Sequence, residues 1–491
     1  MWWLLGCRGP EVVGVTGLSG EGRLPLRVEA LRAGGAVRVV AQGPGPLVID
    51  GPGDHRELEV PDGGLDTEVV GMVAGGVYTL SAGGAEVTHE VGVPDPSLCP
   101  TFDVLAHDPA RVGAGWLLVP HDLRVSGGSC AVVLDEELRP RWWWALRDES
   151  LQDVVFGPDG RVWGRTVSGD VVVTTAGGTP LVRYASHPGP DDVQLPIHTS
   201  HHELLPQPDG SFWTFGRRVR QFEVPVAYGS LESEVSDVDD TIVQHVAADG
   251  TLLREIDPLD DLQPGRCGWD GIMPNHGGVD FLHANALVPL PDGRVLVSIR
   301  NQDLHVMYGP DGEVSWRFGD PAGWDPPWVD EFLTPVGAPS WPYHSHGTDF
   351  DPATGELTVF DNRPDGGSPY TPVPGPTTAR IATWRIDEGA KTVTFTGEHD
   401  ATSTGPMSSP IMGDVDGFLG GPTPVLGVWA WVPDEGEGPV EELGWGELVA
   451  RIVELDGEDV VLDLRARVDG REWPFGGYVF RAERIAPLVA D

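Results

Sequence analysis

Lysine is nearly absent from this chain: Lys391 is the single copy in 491 residues. It sits in EGAKTV, without the glycine frame of a G-x-x-x-x-G-K-[ST] phosphate loop, so nucleotide chemistry on a lysine-bearing loop is excluded. Positive charge is scarce altogether, with 32 Lys and Arg against 75 Asp and Glu and a formal net charge of −43. Nucleic-acid binding needs a basic footprint, and a field this negative repels phosphate backbones. The acidity reads instead as a solvated surface. No run of 18 or more apolar residues occurs, so no helix is expected to span a membrane. The four cysteines, Cys7, Cys99, Cys130 and Cys267, include no C-x-x-C pair, which leaves no zinc or redox motif.

Turn formers and aromatics are what the chain has in abundance. It holds 67 Gly, 46 Pro and 18 Trp, spread between short runs rich in Val, Leu, Trp and Thr. Many short strands joined by tight turns follow from that pattern, and the tryptophans argue against disorder. Residues 1–10 carry Leu4-Leu5-Gly6-Cys7, which is similar to a bacterial lipoprotein cleavage box with Cys7 as the lipidated residue. Export to the periplasm or cell surface is the corresponding expectation, with a lipid anchor as the only membrane attachment. Export would permit a disulfide among Cys99, Cys130 and Cys267, leaving one thiol over.

Residues 11–95 read as an N-terminal β-sandwich of seven or so strands, several of them alternating polar and apolar residues. The stretch Val93 to Pro100 reads as a stiff linker. From residue 100 to 491 a weak repeat takes over. Pro-Asp-Gly recurs at 158–160, 208–210, 291–293 and 310–312, beside strand-like runs. In such a turn Pro fixes φ and Gly supplies φ > 0. A period of about 40–60 residues suggests four-stranded blades. Six candidates begin near 115, 151, 199, 280, 341 and 408, and the terminal GYVFRAERI could close the ring. The expected fold is therefore all-β, a sandwich followed by a six-bladed β-propeller. Ser236 to Asp240, an acidic run lacking the Gly and Glu of a calcium loop, reads as a solvated loop before the strand TIVQHV. Arg217, Arg218 and Arg220 read as exposed strand positions.

Three polar motifs stand at the starts of candidate blades: Thr199-Ser-His-His-Glu-Leu-Leu205, Asp280-Phe-Leu-His-Ala-Asn-Ala286 and Tyr343-His-Ser-His-Gly-Thr-Asp349. Ser298-Ile-Arg-Asn301 follows the second, and Leu357-Thr-Val-Phe-Asp-Asn362 the third. Radial symmetry would carry His201 or His202, His283 and His346 to one central site. Alternation along a strand puts Asn285 on the face of His283, and His344 on the face of His346. Histidines beside Asp349 and Asp361 could also serve a metal-assisted hydrolase or lyase, although an arginine in the site disfavours a cation.

FLHAN, Ser-x-Arg-Asn, a histidine followed by LTVFDN, HHELLPQPDG and the closing FRAERI, in this order, resemble the bacterial arylsulfate sulfotransferases. The resemblance covers about residues 100–490. It implies an exported six-bladed propeller that moves a sulfuryl group from a phenolic sulfate ester to a phenol, with no cofactor, metal or nucleotide donor. It implies His346 as the nucleophile that becomes sulfated. His283 and Arg300 match groups that bind the sulfate oxygens, and His202 supplies the remaining histidine, with His201 open beside it. Asn285, His344 and Asn362 are candidate substrate contacts, His344 also standing as a second candidate nucleophile. A non-catalytic propeller that binds a ligand or partner is the alternative.

Overall fold

The computed structural model describes residues 26–122, 128–147, 150–196, 200–227, 232–266, 274–275, 278–363, 378–433, 448–467 and 479–488. Cys7 and Cys267 lie outside them. Seven strands between Leu26 and Glu90 form two antiparallel sheets. One holds Leu26–Ala30, Val37–Ala41 and Leu65–Val69; the other orders Asp54–Val60, Gly45–Gly51, Val77–Ala82 and Ala85–Glu90. Buried and exposed residues alternate strictly along Ala85–Glu90. The inward faces of both sheets, among them Val28, Val39, Ile49, Leu80 and Val87, share one apolar cluster. The two sheets therefore share one common core. That cluster continues into Leu117, Val132 and Ile452, so the module is packed onto the large domain. Gly34 bridges to Trp143 across the junction, and a Cβ there would lie 1.8 Å from the indole, a distance only glycine avoids.

The large domain is a ring of six sheets. Blades 2 to 5 start from Leu151–Phe156, Ser200–Pro206, Ala284–Pro289 and His346–Asp351, and each first strand touches the next. Blade 6 runs Asp414–Asp416, Val425–Pro433, Leu448–Asp456 and Asp459–Arg467, and takes Thr101–His107 as its outermost strand. Blade 1 corrects the expected start near 115. Its strands Trp116–Asp122, Ser129–Leu134 and Pro140–Leu146 lie outward, and the inner position is filled by Glu483–Ile485. Both ends of the domain therefore close the ring.

The Pro-Asp-Gly turns at 158–160, 208–210, 291–293 and 310–312 are built alike. Gly160, Gly210, Gly293 and Gly312 have φ of 76°, 82°, 86° and 90°. Each Asp carboxylate accepts the backbone N–H two residues on, as Asp159 does from Arg161 at 3.0 Å and Asp209 from Ser211 at 3.0 Å. Gly meets the positive φ without strain, and the Asp holds the chain in the turn.

Three further expectations change. Ser236 to Asp240 is no loop: it lies within the strand Ser233–Val246, paired along Phe212–Pro225. Asp239 and Asp240 are buried there, and Arg218 and Arg220 pair with Asp240 and Asp257 rather than reaching solvent freely. The end of the 93–100 stretch is packed, not a free spacer, with Leu98 and Cys99 buried and Cys99 bonded to Cys130. Among the alternatives left open for the cysteines, this is the pair that forms.

Candidate active site

The inner strands of blades 3, 4 and 5 each carry a register shift where a histidine motif begins. The shifts fall between His201 and Leu204, between Ala284 and Ala286, and between His346 and Thr348. His202, His283 and His344 have φ of 54°, 50° and 52°, and Gly347 has 51°. A bulge with a left-handed residue turns a side chain out of the regular alternation. Such conformations cost free energy at non-glycine residues and concentrate at functional sites. This overturns two same-face expectations. His283 lies before its strand begins, so alternation does not carry it onto the face of Asn285. His344 is likewise outside the strand that begins at His346.

The bulges bring His202, His283 and His346 together, with one nitrogen from each ring within 4.8 Å of the others. Each ring is held at Nδ1 by a different neighbour. His201 Nδ1 lies 2.7 Å from His202 Nδ1. The Asp280 carboxylate lies 2.6 Å from His283 Nδ1. Asn362 Oδ1 lies 2.8 Å from His346 Nδ1. Asn362 is itself fixed, because its amide nitrogen donates to the carbonyls of Ser409 at 2.6 Å and Met412 at 2.7 Å. Its oxygen must then face the ring and accept, which places the proton of neutral His346 on Nδ1. The Met412 backbone N–H donates to His346 Nε2 at 3.3 Å, an independent sign that Nε2 carries the lone pair.

Burial holds the His346 imidazole well below its ordinary pKa, and the Arg300 charge adds to the effect. Burial likewise lowers His202, with His283, His201 and Arg165 adding to it. His201 is depressed by burial and by Arg217. Burial works to raise the Asp280 carboxyl, but His283, Arg217 and Arg300 outweigh it and keep it below the usual carboxylate range. Neighbouring Asp239 goes the other way, pushed up to about 6 by burial.

The remaining candidates fall into place around this centre. Arg300 is buried in a short 3-10 turn, Arg300–Gln302, and donates to Asn301 Oδ1 at 2.8 Å. That turn is tied to the His283 segment, with Asn301 N donating to the Leu282 carbonyl at 3.0 Å. Asn285 donates to the Ser345 carbonyl at 2.7 Å and so clamps blade 4 to the residue before His346. His344 is paired with Asp303, 3.0 Å from its Nδ1, and stands apart from the three convergent rings. Both polar ends of Asn362 are committed to protein groups, which suits positioning better than substrate contact. Sequence reasoning missed Asp280 and Asp303 as partners. Asp280 had a signal, its spacing three residues before His283; Asp303 had none.

No curated protein matches the chain. Solved structures that resemble it include a protein of unknown function from Bacteroides caccae, at 11% identity and TM-score 0.38, over 75% of this chain and 98% of that one. A catalytically inactive virginiamycin B lyase from Staphylococcus aureus, solved with quinupristin, resembles it at 10% identity and TM-score 0.33, over 75% and 98%. The Cps50 (Swd1) β-propeller domain from Myceliophteria thermophila does so at 9% identity and TM-score 0.35, over 74% and 89%. Residues 190–420, the stretch that carries all three convergent histidines and Arg300, match the arylsulfotransferase (ASST) family.

Proposed function

We propose that this protein is an arylsulfate sulfotransferase that moves a sulfuryl group from a phenolic sulfate ester to a phenol through a sulfated His346. The observation that carries the reading is the tautomer of His346. Its Nδ1 proton is committed to Asn362 and its Nε2 lone pair is kept available in a buried site. A nucleophile of this kind needs an unprotonated nitrogen at neutral pH, and burial beside Arg300 secures that.

In the first half-reaction His346 Nε2 attacks sulfur, the bond from sulfur to the phenolic oxygen breaks, and the electron pair leaves on that oxygen. The Met412 N–H contact is given up as the new N–S bond forms. His283, backed by the Asp280 carboxylate, donates a proton to the departing phenolate. Arg300 and His202 supply the donors that the sulfate oxygens need. Arginine suits this because its planar fork matches an oxyanion and its charge is permanent. In the second half-reaction His283 takes the acceptor phenol's proton, the phenolic oxygen attacks sulfur, and the N–S pair returns to Nε2. Product leaves and the ring is restored, a ping-pong cycle without a cofactor.

Export fits the Cys99–Cys130 disulfide, since such bonds persist in oxidising compartments. The decisive test is incubation with 4-nitrophenyl sulfate alone, followed by mass spectrometry of the protein. A single sulfuryl adduct on His346, discharged by added phenol, is expected. His346→Asn and Arg300→Ala should nearly abolish nitrophenolate release. An adduct on another residue, His344 first among them, would overturn the assignment.

A further inference from the structure

The same three rings have a second chemical capacity. Three imidazoles around a tetrahedral zinc ion, with Zn–N bonds of about 2.0–2.1 Å, set their nitrogens about 3.4 Å apart. His202, His283 and His346 already bring one nitrogen each within 4.8 Å. An inward shift of about 1 Å or less per ring would reach the metal spacing.

The surroundings match as well as the spacing. Metal-binding histidines carry a partner on the ring nitrogen that does not bind the ion, which fixes the ring and raises its basicity. Here all three are held at Nδ1, by His201 at 2.7 Å, Asp280 at 2.6 Å and Asn362 at 2.8 Å. Nε2 is the nitrogen left on each ring. Three groups oppose a cation: the Arg300 charge, which acts on His346, the Arg165 charge, which acts on His202, and the Met412 N–H, which occupies His346 Nε2 at 3.3 Å. Two favour it: the Asp280 carboxylate behind His283, and a chain charge of −43 that draws cations in. An all-nitrogen site selects imidazole-loving transition metals over calcium and magnesium, which want oxygen.

We propose that His202, His283 and His346 form a three-imidazole site for a divalent transition-metal cation of the zinc or cobalt type, and that its binding excludes the sulfate ester. The reason for exclusion is electronic: the His346 lone pair can be given to a metal or to sulfur, but not to both. Metal binding itself does not rest on the sulfuryl-transfer reading, since it is read without turnover.

Metal-free full-length protein would be titrated with cobalt(II) chloride and followed by visible absorption, which distinguishes tetrahedral from octahedral cobalt. One saturating tetrahedral band per chain is expected, displaced by zinc chloride. His283→Ala and His202→Ala, each verified as folded by circular dichroism, should bind at least tenfold more weakly. His55→Ala, at an exposed histidine beside Asp50, should bind as the parent does. The absence of a saturable band at millimolar cobalt, or an undiminished band in both variants, overturns the site. In the same preparation zinc should raise KM for 4-nitrophenyl sulfate without changing kcat. A fall in kcat at constant KM would overturn the exclusion. A cobalt band in protein whose metal-free form turns over no sulfate ester would leave the metal site standing and defeat the sulfotransferase reading.

Discussion

Asn362 faces the His346 ring through its side-chain oxygen. Its amide nitrogen is anchored on two carbonyls, so rotation that would present N–H to the imidazole is blocked. Asn362→Leu should lower kcat by about 10²-fold, the scale of a small misplacement of reacting groups. It should also cost about 1–3 kcal/mol of stability, because the Ser409 and Met412 carbonyls lose their donor. Steady-state kinetics and urea unfolding read the two effects separately. Asp280→Asn keeps an acceptor beside His283 but removes its charge. Turnover of phenyl sulfate should fall on the order of 10²-fold. The loss should be smaller for 4-nitrophenyl sulfate, whose leaving group needs no proton. Equal losses for both esters would argue against His283 as the proton donor. The identities of these central residues were legible because His-His, FLHAN and Tyr-His-Ser-His recur at blade starts. Their Nδ1 partners were only partly so: His201 and Asp280 lie in the same motifs as His202 and His283, whereas Asn362, read as a substrate contact, comes from the next strand, and only the fold brings it to His346.

At the scale of the element, the inner strands were readable as strands but not as bulged strands. The Pro-Asp-Gly turns announced the hairpins, because proline and glycine impose φ locally. A bulge with His202 or His283 at positive φ has no comparable mark, because histidine is only an occasional occupant of that region. Strict alternation therefore mis-assigned the faces of Asn285 and His344. The acidic run at 236–240 was misread for a related reason. Arg218 and Arg220 sit on the paired strand and meet Asp240, which makes burial of that carboxylate tolerable. Gly347 tests the bulge of blade 5. Its φ is +51°, and an added Cβ would lie 2.6 Å from Asp414 Cα and from Val415 N in blade 6. Gly347→Ala should destabilise by about 1–3 kcal/mol from backbone strain alone, with the contact adding to it. Urea midpoints measure this, and an unchanged midpoint would show that the two inner strands separate freely.

For the whole molecule, buried carboxylates and buried histidines act on the response to pH in opposite senses. Burial pushes Asp239 and Asp361 up to about 6. Between the ordinary aspartate value of 3.8 and about 6, the native state keeps protons that the unfolded chain has released. The contribution of these two carboxylates to stability therefore falls as pH rises through that window, whereas buried His201, His202 and His346, held well below their ordinary range, contribute in the opposite sense. Calorimetry should show that Asp239→Asn removes a falling component, so that between the acid and neutral ends of this range its Tm drops less, or climbs more, than that of the parent. Reduction of Cys99–Cys130, 31 residues apart, should remove about 3–4 kcal/mol by the loop-entropy relation, read as a lower Tm in reductant. Gross architecture was legible from glycine, proline and repeat spacing; the closure of blade 1 was only half so, since FRAERI pointed to it while the strands after 115 seemed self-sufficient. That closure has a consequence for biosynthesis. The segments bearing His202, His283 and His346 are made well before Glu483–Ile485, yet blade 1 lacks its axial strand until that segment arrives. A nascent chain thus carries these histidines through translation as an open arc, and the ring closes only after Glu483–Ile485 has left the ribosome.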